Sequence, residues 1–78
     1  MKARYDRWDA ELTIIYAGEA RSYDEDECDK LLRVIEHANG DPMDELSEFF
    51  SDEFGSHGYR VARWFVENAC LIAHEVYE

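Results

Sequence analysis

Apolar and polar positions alternate along residues 8–16. Trp8, Ala10, Leu12, Ile14 and Tyr16 fall on one face, and Asp9, Glu11, Thr13 and Ile15 on the other. A period of two with β-branched and aromatic content predicts a half-buried strand. Gly18 accepts positive φ, so Ala17-Gly18-Glu19 predicts a hairpin turn and a short return strand through Arg21 or Tyr23. Residues 2–6 offer a third strand. The period then changes to that of a helix: Cys28, Leu31, Leu32, Ile35 and Ala38 form one apolar stripe. Ser22-Tyr23-Asp24-Glu25 fits a capping box at its start, and Asn39-Gly40 marks its end. A second helix follows, with Asp41 as N-cap, Pro42 at the first position and Met43, Leu46, Phe50 and Phe54 on its apolar side. Gly55 closes it. Ser56 is placed to cap a third helix running to about Tyr77, a spine about 30 Å long. Its apolar face holds Val61, Ala62, Phe65, Ala69, Ile72 and Val76, widened by Trp64 and Leu71 on one flank and Tyr59, Val66 and Tyr77 on the other. The expectation is one compact α+β domain over residues 1–78, an antiparallel hairpin or three-stranded sheet followed by three α-helices.

Charge changes the picture. The chain has 78 residues and a formal net charge of −11. Residues 24–53 hold twelve carboxylates against only Lys30 and Arg33, a formal balance of −10 and so nearly all of the excess. In the first helix the two cations each lie four residues after an acid, Asp26 and Asp29, so both can pair there. In the second helix nothing opposes the acids. At about 100° per residue, Asp41, Asp44, Glu45, Glu48 and Asp52 fall within an arc of roughly 100° opposite the apolar side. Acids at a helix start complement the dipole, and a solvated face is ordinarily charged. An ordinary surface also mixes signs, because like charges at i,i+4 destabilise a helix. Asp44–Glu48–Asp52 is an uncompensated row of this kind.

Several functions are disfavoured. An acidic surface is repelled by nucleic acid and by anionic lipid, so direct nucleic-acid binding and membrane association are not expected. The longest uncharged runs have seven residues, far short of the ~18 that a spanning helix needs, and the expected location is the cytoplasm. His37, His57 and His74 belong to no catalytic pattern. Cys70 and His74 make half a zinc site with no second pair, and Asp24-Glu25-Asp26-Glu27 lacks the glycine and twelfth-position acid of a calcium loop. No catalytic residue, metal or cofactor is assigned, and no enzymatic activity is expected. Cys28 and Cys70 sit in apolar helical patterns and suit reduced thiols, with a disulfide between their two helices as the alternative.

Six acids along the ~20 Å of the second helix match the charge on one DNA strand, about one per 3.4 Å. In size, charge, acidic helices and α+β build the chain resembles the small acidic DNA-mimic inhibitors encoded by phages, of the anti-CRISPR and anti-restriction type. The resemblance implies occlusion of the DNA- or RNA-binding groove of a host defence complex such as a CRISPR effector. The expected partner is a basic nucleic-acid-binding protein. The candidate partner-binding residues are Asp41, Asp44, Glu45, Glu48 and Asp52, extended by Glu25, Asp29 and Glu36 of the first helix. The alternative is a protein-interaction module anchored by Trp64, Leu71 and Tyr59 on the third helix.

Overall fold

A computed structural model of the chain describes residues 1–37 and 41–77. Three strands, β1 (Lys2–Asp6), β2 (Glu11–Tyr16) and β3 (Glu19–Asp24), form an antiparallel sheet in the order β1-β2-β3. The third strand that residues 2–6 offered is present, and the architecture is the expected α+β arrangement of sheet followed by helices. Leu12, Ile14 and Tyr23 bury one face of the sheet, while Ile15 stays exposed on the other.

The turn between β2 and β3 is Ala17-Gly18, with φ of 54° and 79°. Two consecutive positive φ values define the type I′ geometry that matches strand twist. Alanine is costly there, because its Cβ crowds the following carbonyl in the left-handed region. We expect Ala17→Asn to raise stability by about 1 kcal/mol, or a Tm higher by about 4–8 °C, read from a thermal melt.

The β1–β2 connection differs from expectation. Trp8 was expected on the buried strand face, yet it is 98% exposed in a turn. The cause is local: Asp6 Oδ1 accepts the amides of Trp8 at 2.9 Å and Asp9 at 3.3 Å, which turns the chain before β2 begins.

Helix α1 (Glu25–Glu36) begins two residues later than the capping box suggested. Ser22 is still in β3, paired with Thr13 across the sheet, and their hydroxyls meet at 3.0 Å. Burial of Tyr23 against the core holds β3 in register to its end. Asp24 is the N-cap instead, accepting from the Glu27 amide at 2.8 Å. Cys28, Leu31 and Leu32 form the buried stripe. His37 caps the helix C-terminus, and the expected Ala38 contact and Asn39-Gly40 stop lie outside the described residues.

Helix α2 (Pro42–Phe54) follows the sequence closely. Asp41 accepts from the Met43 amide at 2.9 Å, and Leu46, Phe50 and Phe54 are buried. Phe50 is the centre of the core, with the rings of Tyr23, Phe49, Phe54 and Phe65 at 5.1–6.4 Å. Such pairs contribute roughly 0.5–1.5 kcal/mol each beyond burial.

The expected 30 Å spine is not one helix. Gly55–His57 form a 3₁₀ turn without a side-chain cap, so Ser56 does not start a helix. Helix α3 (Gly58–Glu67) packs on α2, and α4 (Ala69–Tyr77) continues beyond an interruption at Asn68. Asn68 has φ −108° and ψ 12°, and its side-chain amide donates to the Trp64 carbonyl at 2.8 Å. Its own backbone N–H donates to the same carbonyl at 3.0 Å. An asparagine that turns back on its helix in this way weakens the ladder. The interruption lets α4 pack against α1.

Candidate acidic interaction surface

The acidic face of α2 follows from its cap and its core stripe. Asp41 and Pro42 set where the helix begins, and Leu46, Phe50 and Phe54 set which way it faces. Asp41, Asp44, Glu45, Glu48 and Asp52 are all exposed. They project away from the core, since their mean direction is about 180° from that of the buried three at 100° per residue. No cation lies on the helix, and none stands in its last turn, where one would offset the dipole. Asp52 and Glu53 occupy that turn instead, so repulsion within the row is joined by an unfavourable dipole interaction. Glu53 differs from the others: it lies on the flank toward Tyr23, partly buried. Burial first and then the Glu53 carboxylate push the Tyr23 hydroxyl well above the ordinary tyrosine pKa.

The three α1 acids do not extend this face. Glu25, Asp29 and Glu36 share one flank of α1, within about 40° of each other. That flank faces α4: the Tyr77 hydroxyl donates to Asp29 Oδ1. The opposite flank, carrying Glu27, Lys30, Leu31 and Val34, meets α2. Asp29 is moreover engaged within the protein. The Tyr77 hydrogen bond and then the Arg33 guanidinium, at 2.7 Å, hold its carboxyl below the usual range. The same contact pushes Tyr77 up to about 12. The surface that the structure assembles is thus the α2 arc with Glu27 beside it, while Glu25, Asp29 and Glu36 lie around the other side of α1. Which flank of α1 meets α2 depends on how the two helices pack, and periodicity carries no sign of it.

The apolar candidates are also separated. Trp64, half-buried, and Leu71, 67% exposed, line a groove of about 260 Å³ between β1 and the α3–α4 junction, together with Tyr5 and Leu12. Tyr59 is exposed and does not line it.

The cysteines differ in a way their shared helical pattern hid. Cys28 is buried, with Sγ directed at the Tyr23 carbonyl at 3.7 Å, and burial pushes its thiol up to about 11. Cys70 is exposed, and the two are not bonded. A thiol reagent at neutral pH should therefore modify one equivalent in the native protein and two in denaturant, with Cys70→Ser removing the native equivalent.

Among the described residues, no group of three or more His, Cys, Asp and Glu side chains is placed to hold a metal ion. No helix among them is long and apolar enough to cross a membrane. Comparison with protein-family models, curated proteins and solved structures finds no match to this chain.

Proposed function

We propose that this protein is an acidic inhibitor that mimics nucleic acid and blocks the DNA- or RNA-binding site of a basic host protein, such as a CRISPR effector, in the host cytoplasm. The observation that carries the reading is the α2 row. Five exposed carboxylates point away from the core with no cation on their helix. Asp41 also caps the helix, but the fold does not require Asp44, Glu45, Glu48 and Asp52, since Leu46, Phe50 and Phe54 already dock it. Mixed charges there would serve the stability of the helix better than a repulsive row. A line of charge at the spacing of a phosphate strand instead supports complementarity to a lysine- and arginine-rich groove, with fast, salt-sensitive association.

A second reading is favoured by one observation, the exposure of Leu71 beside the half-buried Trp64 over the β1–α4 groove. A partner would then be held through apolar anchors.

One experiment separates them. The wild type and the Asp44→Lys, Glu48→Lys, Asp52→Lys variant are each used to capture partners from host lysate at low and high salt. Under the mimic reading the wild type captures a nucleic-acid-binding complex, salt or duplex DNA releases it, and the variant captures nothing. Capture of one partner by both proteins, unaffected by salt or DNA, would refute mimicry and direct attention to Trp64 and Leu71.

A further inference from the structure

The acidic row has an apolar neighbour. Between α1 and α2 runs a groove of about 210 Å³. Buried Leu31 and Leu46 line it together with the half-buried side chains of Val34 and Phe49. Glu27 and Glu45 stand on opposite rims, one from each helix, and Lys30 is the one cation among the lining residues. A cavity of ~150 Å³ holds a benzene molecule, so this volume accommodates at least one large aliphatic or aromatic side chain.

An occupant must meet two demands at once: apolar surface for the floor, and positive charge for the rims and the adjoining α2 arc. A second copy of this chain meets the first demand only, since it brings a further net charge of −11. Nucleic acid and anionic lipid fail the second. A helix with one apolar side flanked by lysine and arginine satisfies both, in the manner of helix-in-groove recognition. We infer that the α1–α2 groove receives an apolar side chain carried on a basic amphipathic helix of the partner protein. The inference rests on the acidic-surface reading and adds the chemistry of the partner: basic residues for the α2 arc and an apolar anchor for the groove beside it. Charge alone would attract many basic surfaces, whereas an anchored side chain selects among them.

The test uses the full chain and two fluorescently labelled synthetic helices of about fourteen residues, or ~20 Å. One carries leucine at i, i+3, i+4 and i+7 and lysine elsewhere. The other has serine in place of each leucine and the same charge. Anisotropy titrations at low salt should show the leucine helix binding the wild type at least about tenfold more tightly. Val34→Asn should remove most of that advantage while leaving the serine helix unchanged. Equal binding of the two helices to the wild type would overturn the groove while leaving the acidic row intact as a charge-only surface. That comparison needs no variant, so it stands even if Val34→Asn unfolds. In the Asp44→Lys, Glu48→Lys, Asp52→Lys variant both helices should bind more weakly with the leucine advantage kept, because the two carry the same charge; undiminished binding of both would overturn the row's part in the proposal.

Discussion

Gly58→Ala should destabilise the protein by about 3 kcal/mol or more, enough to unfold a large fraction of a domain this small. Local preference points the other way. Gly58 is helical, at φ −55° and ψ −43°, and alanine in such a position ordinarily gains up to about 1 kcal/mol. The tertiary contact decides the sign. A Cβ on Gly58 would stand closer than 3.0 Å to the Ser51 hydroxyl and also to the Ser51 amide nitrogen and Cα. A hydroxyl can rotate away, but the backbone of α2 cannot without lifting α3 from it. That would loosen Phe50 from Phe65, whose rings are 5.7 Å apart. Urea denaturation of Gly58→Ala and of Gly58→Ala with Ser51→Gly tests the cause. Deleting the serine side chain should recover little, because two of the three close atoms are backbone. Wild-type stability in the single variant would mean that α2 and α3 do not approach as described.

Glu48→Lys should act in opposite directions on stability and on binding. Glu48 faces Asp44 and Asp52 at i,i+4 spacing and Glu45 at i,i+3. A lysine turns three repulsive neighbours into three attractive ones, each pair worth roughly 0.2–0.5 kcal/mol. The fold should gain about 1–2 kcal/mol at low salt, and most of that gain should vanish near 1 M salt, where the screening length is ~3 Å. If the proposed mimicry holds, partner affinity should fall at least tenfold, because a positive charge then sits in the middle of the acidic face. A residue kept against stability and in favour of binding has the signature of a functional site. A variant that is more stable and captures its partner as well as the wild type would show that Glu48 is plain solvated surface.

Much of the fold was legible because local chemistry and long-range packing agree. Alternation through Leu12, Ile14 and Tyr16, the turn at Gly18, and the Asp41-Pro42 start of α2 each specify structure within a few residues of themselves. The structure departs from the local pattern where two local signals compete. Ser22 is a good N-cap, but Tyr23 is buried by the core, and the strand prevails for two further residues. Trp8 continues an alternating pattern, but the Asp6 carboxylate captures two amides and ends it. Asn68 lies within a continuous apolar period, which conceals that its side chain turns back on Trp64 and interrupts the helix.

The candidate site divides in the same way. The acidic arc of α2 was determined by the sequence alone, because the stripe that buries a helix also dictates which residues must face outward, and Leu46, Phe50 and Phe54 leave Asp44, Glu48 and Asp52 no other direction. Tertiary structure alone decided what stands beside that arc. The packing of α1 turns Glu27, Lys30, Leu31 and Val34 toward α2, sends Glu25, Asp29 and Glu36 toward α4, and opens an apolar groove where continuous charge was expected. Periodicity defines the faces of each helix separately. The orientation of one helix about its axis relative to another depends on contacts between residues far apart in the chain, such as Tyr77 with Asp29, and those exist only once the chain has folded.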